Sequence, residues 1–359
     1  MKAMKSLFSI AASSVLLSVL LLVGCGGGGG DGGGGAAVPT ASTLSGTASA
    51  GAPIIGTVTI RDSDPATTDK TVTIAADGKY TIDVTGLTAP FMLRADGTVG
   101  GRSYSLYSAA VSADINGTIN VTPLTDLIVA NVAGQIASNY FAAGNFSTLT
   151  AADLIAQEIA LQARLQPILT AAGVGASIDL LRSSFAADHT GLDAALDVLR
   201  IDIAGATATI TNIISNQQIT DNIASKTDTV VPLGATNVAA ALIELQQIAA
   251  VFDAFNALFA TALPAIANAS LLALFDTTFL YDGDNVATFL SELIFNPTLI
   301  GVKFSNIALV PGSMIPAAAP ITAKVVFSVI ISGRVVDSIE FTLNKVGTAW
   351  KMAGNGRIA

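Results

Sequence analysis

The chain has 359 residues, a formal net charge of -9, 12% charged residues and 51% apolar ones. That balance excludes a disordered chain, and it argues against nucleic acid and anionic headgroups, which are recognised by clustered positive charge. The length suggests two or three domains, while one cysteine and one histidine exclude a disulfide framework and any zinc site that needs two histidines.

Lys2 and Lys5 precede an apolar run from Leu7 to Val23, and Gly24 stands before Cys25. A basic end, a short greasy core and a small residue at the cut are the layout of an export signal. A retained membrane span is the rival reading. The run is at the lower edge of the roughly 17 to 25 residues a span requires, and Ser9, Ser13, Ser14 and Ser18 interrupt it.

Leu22, Val23, Gly24 and Cys25 resemble the lipobox of bacterial lipoproteins. The resemblance implies a signal peptide over 1–24, lipidation of Cys25 by diacylglycerol, and an acyl chain such as palmitate on the new amino group. Two or three chains, at about 0.8 kcal/mol per buried methylene, anchor a protein durably. Gly26 instead of aspartate after the cysteine points to the outer membrane of the cell envelope. Residues 25–43 then form a lipidated, glycine-rich tether, whose ten or so glycine-tract residues span roughly 15 to 20 Å. A phosphate-binding loop is excluded there, because its Lys-Ser/Thr ending is missing.

Residues 44–121 read as an all-β sandwich of short strands. Val58 and Ile60 alternate with Thr57, Thr59 and Arg61; Lys70 to Ile74 and Lys79 to Val84 flank Asp77 and Gly78, a strong hairpin signal. Phe91 to Arg94 and Arg102 to Tyr107 add strands. The order of Ser45, Gly46 and Thr47, then Pro53 to Ile60, then Asp77 to Thr81 resembles the carboxypeptidase regulatory-like domain, a transthyretin-like sandwich that is not that family's catalytic part. Asp62, Asp64 and Asp69 share one loop and are weak candidates for a hard cation such as calcium, against the plainer reading of a turn-forming, solvated loop.

Residues 122–235 read as helices with a β-hairpin. Thr122 and Pro123 start a helix with Leu124, Leu127, Ile128, Val132 and Ile136 on its apolar face. Thr150 to Asp153 and Thr190 to Asp193 have capping-box spacing, followed by the stripes Leu154, Ile155, Ile159 and Leu192, Leu196, Leu199. Arg200 to Ile203 and Thr207 to Ile210 make the hairpin. His189 beside Asp188 invites a general-base role, yet a lone histidine at a helix start reads first as a polar surface residue.

Residues 236–359 read as helices followed by a curved antiparallel sheet. A long amphipathic helix over Asn237 to Leu263 carries Leu242, Leu245, Ile248, Phe252, Phe255 and Phe259 on one face. Helical pieces follow at Leu271 to Phe275 and Val286 to Phe295. Strands are predicted over Val302 to Val310, Ile321 to Ile331, Val335 to Lys345 and Ala349 to Ala353. This order, with Trp350 in the last strand, is similar to the nuclear transport factor 2 superfamily, whose cone wraps a cavity. Asp276, Asp282, Asp284 and Glu292 are the acids available to such a cavity, and they form no visible catalytic pair.

The sequence therefore predicts a multidomain α+β envelope protein, lipid-anchored through Cys25, without a cofactor or catalytic residues. Its role is non-catalytic binding or scaffolding, with a protein or glycan partner and no nucleic acid. The alternative is a small-ligand carrier or enzyme that uses a cavity in the carboxy-terminal α+β domain.

Overall fold

The structure is a computed structural model that describes residues 42–225, 229–316, 318 and 321–356. It is a mixed α+β fold, with seven α-helices and four open, mostly antiparallel sheets among the described residues.

The first six strands are β1 (Thr43–Thr47), β2 (Ile55–Arg61), β3 (Lys70–Thr73), β4 (Lys79–Asp83), β5 (Phe91–Val99) and β6 (Arg102–Ala110). They divide into a four-stranded sheet ordered β3-β2-β5-β6 and a two-stranded sheet of β1 and β4. The turn at Asp77 and Gly78 forms as predicted. The Ala75 amide bonds the Lys79 carbonyl at 2.8 Å, and Gly78 sits at φ 83°, where glycine has no steric penalty. The hairpin does not form, because β3 pairs with β2 and β4 pairs with β1. A turn signal fixes the reversal locally, while burial decides which sheet each arm joins.

Inside this region Leu44, Ile54, Val58, Ile60, Ile82, Phe91, Leu93 and Ile119 pack into one apolar cluster. The β5-β6 sheet is covered on both faces. Phe91, Leu93 and Leu106 point to that cluster, whereas Met92, Tyr107 and Ala109 belong to a second one. Two-sided burial explains why Phe91 to Leu93 is an unbroken apolar run instead of an alternating one.

The middle helices are α1 (Pro123–Ala133), α2 (Ala137–Ala143), α3 (Ala151–Ala171) and α4 (Gly191–Asp197). Thr122 caps α1, accepting from the Thr125 amide, and Gly134 closes it in the left-handed conformation. Thr150 caps α3 through the Asp153 amide. The predicted stripe on α3 is corrected: Leu154 is buried, but Ile155 and Ile159 are 48% and 59% exposed. The buried face runs through Leu154, Leu161, Leu165 and Ile168 and also takes in Gln157, Glu158 and Arg164. Leu180 and Asp221 supply the partners that allow Glu158 and Arg164 to turn inward.

A three-stranded meander follows, β7 (Leu199–Ala204), β8 (Thr207–Asn212) and β9 (Gln217–Asn222). The predicted hairpin is its first half, and Leu199 belongs to β7, not to the helix stripe.

Helix α5 (Val238–Phe259) buries Leu242, Leu245, Ile248, Phe252, Phe255 and Phe259, as its period predicts. By length and composition it could cross a membrane; half of its most apolar window is buried inside the fold. Two short helices, α6 (Ala269–Leu272) and α7 (Val286–Ile294), bracket strand β10 (Phe275–Leu280), part of which was expected to be helical. Strands β11 (Lys303–Leu309), β12 (Thr322–Ile331), β13 (Arg334–Val346) and β14 (Ala349–Gly354) complete a sheet ordered β10-β14-β13-β12-β11, with β10 parallel to β14. The second apolar cluster runs without a break from Met92 and Tyr107 through the middle helices to this sheet.

Candidate functional site

A cavity of about 620 Å³ opens where the β5-β6 hairpin, the end of α4, strand β7 and strands β11 to β13 meet. The chain brings a mixed set of side chains to it. Tyr104 and Arg102 come from β6, Arg200 and Asp202 from β7, Asp126 from α1, and Asp197 from the last turn of α4. Arg102 lies over the Tyr104 ring with its guanidinium carbon 5.3 Å from the centroid. Arg102 and Arg200 both bond Asp202, at 3.0 and 2.6 Å. Those bonds outweigh burial and hold the Asp202 carboxyl below its ordinary range.

Asp126 behaves in the opposite way. Burial pushes its carboxyl up to about 7, against the Tyr107 amide, which donates to Oδ1 at 3.1 Å. A carboxyl lining a cavity with one donor keeps its proton near neutral pH. Such a wall offers aromatic faces, fixed cations and hydrogen-bonding groups in one concave space, the usual make-up of a binding site.

His189 lies behind the same wall, and the surface reading of this residue is corrected. Its side chain is 12% exposed, and Nδ1 meets Asp197 Oδ2 at 2.9 Å. Asp193 accepts from the His189 amide at 2.9 Å and from Ser49 Oγ at 2.7 Å. The Thr190 capping box is therefore not used. Thr190 Oγ1 bonds Asp188, and Asp193 looks back to the histidine backbone and to Ser49 after β1. Burial works against the imidazolium, but Asp197, with Asp193 and Asp188 behind it, raises His189 to about 9. Burial also lifts both Asp193 and Asp197 above the ordinary carboxylate range.

The other predicted positions separate. Asp62 accepts from Thr67 Oγ1, from the Asp64 amide at 3.1 Å and from the Thr88 amide at 2.7 Å. Burial pulls its pKa upward, yet these donors leave it lowered. Asp64 accepts from the Ala66 amide, and Asp69 pairs with Arg61 at 2.7 Å. Each carboxylate is spent on its own turn or partner. Asp276 accepts from Thr278 and Asn344, and Asp282 and Asp284 shape the turn before α7. Cys25 lies outside the described residues.

The interior between α5 and the carboxy-terminal sheet is packed with rings. Phe255 stacks on Phe304 at 4.3 Å, Phe252 meets Phe327 at 4.8 Å, and Phe279 meets Phe289 at 5.0 Å. Sequence reasoning missed Asp193 and Asp197 as partners of His189. Their spacing of four and eight residues after it, one helical face, was the available signal. Arg102, Arg200 and Asp202 were missed because nothing local shows that β6 and β7 meet. No family model, curated protein or solved structure matches the chain.

Proposed function

We propose that this chain is a lipid-anchored envelope protein of the outer membrane, attached through Cys25, whose folded part binds a glycan non-catalytically in the cavity beside β6 and β7. The observation that carries the reading is the lining of that cavity. Tyr104 offers a ring face, and Arg102, Arg200, Asp202 and Asp126 offer donors and acceptors around it. A volume of about 620 Å³ suits a few sugar rings better than a flat protein surface.

The split of the first strands into sheets of four and two supports a transthyretin-like, carboxypeptidase regulatory-like sandwich. A long helix packed against the five-stranded sheet supports a likeness to the nuclear transport factor 2 cone. The carrier or enzyme alternative needs space inside that cone, where Phe252, Phe255, Phe304 and Phe327 touch one another.

The test is saturation-transfer NMR on the full chain in mild detergent with soluble fragments of envelope glycans. Enhancement of sugar protons in the parent and its loss in Tyr104→Ala support the reading. Equal enhancement in both proteins, or none in the parent, refutes it. The anchor is tested separately: Cys25→Ser should abolish metabolic labelling by palmitate and release the protein from carbonate-washed membranes.

A further inference from the structure

His189, Asp193 and Asp197 follow one another at helical spacing, and the fold turns all three to one point. His189 Nδ1 and one carboxylate oxygen from each aspartate lie within 4.8 Å of one another. Both acids are buried, Asp193 at 0% and Asp197 at 6% exposure. The Asp197 side chain itself is 1% exposed and spends Oδ2 on His189. Asp197 also forms part of the cavity wall, which gives the cluster a route to solvent.

We propose that His189, Asp193 and Asp197 bind one divalent transition-metal ion of the zinc class at the edge of the cavity. Charge balance is the first argument. Two carboxylates and a neutral imidazole carry two negative charges, which a divalent ion cancels. The donor set is the second. One imidazole nitrogen with two carboxylate oxygens suits zinc, manganese, iron or cobalt, whereas calcium and magnesium favour all-oxygen sites.

Geometry is the third argument. Nδ1 and Oδ2 stand 2.9 Å apart, and two ligands each about 2.0 to 2.2 Å from a tetrahedral ion stand about 3.4 Å apart, so a movement of about half an ångström admits the ion. The ion takes the place of the proton these atoms share. His189 has a left-handed backbone at φ 63°, uncommon for a residue with a side chain, and its ring reaches Asp197 at the end of α4. The Asp193 carboxylate holds the His189 amide, and Gln246 donates to its carbonyl at 3.3 Å. Ser49 Oγ orients Asp193 from the first sandwich, as the outer partners of metal ligands do. Three protein ligands leave a coordination position for water or for a donor from a bound partner. This site does not depend on the glycan reading.

The chain contains one histidine, so its imidazole signals are assigned without ambiguity in tag-free protein. The full chain in mild detergent, stripped with a chelator, is titrated with zinc chloride and followed by nitrogen-15 NMR of that ring and by calorimetry. Saturation at one equivalent with a selective shift of Nδ1 is expected. His189→Asn, which tolerates the left-handed backbone, and Asp197→Asn should each weaken binding at least tenfold. An unperturbed imidazole in the parent at several equivalents of zinc overturns the proposal, as does a folded His189→Asn protein that binds as tightly as the parent. The parent titration decides the matter even where a variant does not fold.

Discussion

Arg164 on α3 places Nη2 2.8 Å from Oδ1 of Asp221 on β9, with the two side chains only 5% and 2% exposed. Asn131 on α1 donates to the other Asp221 oxygen at 2.8 Å, and the Arg164 carbonyl accepts from the Leu233 amide. One buried pair therefore joins two helices, the meander and the segment that leads into α5. Arg164→Met leaves Asp221 charged, buried and short of a partner, which costs about 3 to 5 kcal/mol. Arg164→Met with Asp221→Asn removes both charges and should recover at least half of that loss. Urea unfolding measures both; a single variant within about 1 kcal/mol of the parent would show that the pair is not a stabilising link.

Gly46 makes a second prediction. A methyl group there would sit 1.7 Å from the Ile119 carbonyl oxygen, which also accepts from the Tyr80 hydroxyl. The glycine-containing strand noted in the sequence is thus a point where two backbone segments touch. Gly46→Ala should cost about 2 to 3 kcal/mol through overpacking. An unchanged melting temperature would mean that β1 moves away from Ile119 without penalty.

The elements whose burial follows their own periodicity were legible in the sequence. Helix α5 needed only the spacing of Leu242, Leu245, Ile248 and Phe252, and β12 and β13 only their apolar runs. What failed depended on partners distant in the chain. Ile155 and Ile159 look like core residues, yet Glu158 and Arg164 take the inward face because Leu180 and Asp221 supply their bonds. The β3 and β4 arms separate because Thr57 and Ser45 lie opposite them in different sheets. The His189 cluster was half legible, since the spacing to Asp193 and Asp197 was in view while the burial was not.

Trp350 is the only tryptophan, and its indole nitrogen donates to Glu244 Oε2 at 2.8 Å. Lys345 Nζ bonds both oxygens of the same carboxylate at 2.6 Å, so one acid on α5 fastens β13 and β14. Glu244→Ala leaves a largely covered ammonium and an indole without their acceptor. The expected cost is about 2 kcal/mol, with a red shift of tryptophan emission as water reaches the ring. Unchanged emission and stability would place the helix-to-sheet contact in the apolar packing alone.

Asp126 gives stability a pH dependence. Its ordinary value is 3.8 and its folded value is about 7, so between those limits the folded chain keeps a proton that the unfolded chain has lost. The stabilisation is full below the unfolded pKa and disappears as pH rises through about 7. Three units at 1.36 kcal/mol set a ceiling of ~4 kcal/mol. Asp126 is half-buried at the cavity wall, and solvent screening there reduces this to about 2 kcal/mol. Asp126→Asn keeps an Oδ1 acceptor for the Tyr107 amide and does not titrate. Groups such as Glu158, which burial and the neighbouring Asp179 raise to about 7, titrate in both proteins and drop out of the comparison. The variant should therefore gain about 2 kcal/mol over the parent between pH 3 and pH 8 in urea unfolding. Parallel stability curves would mean that Asp126 is ionised and well solvated in the folded protein, and the cavity wall would then carry a negative charge at neutral pH.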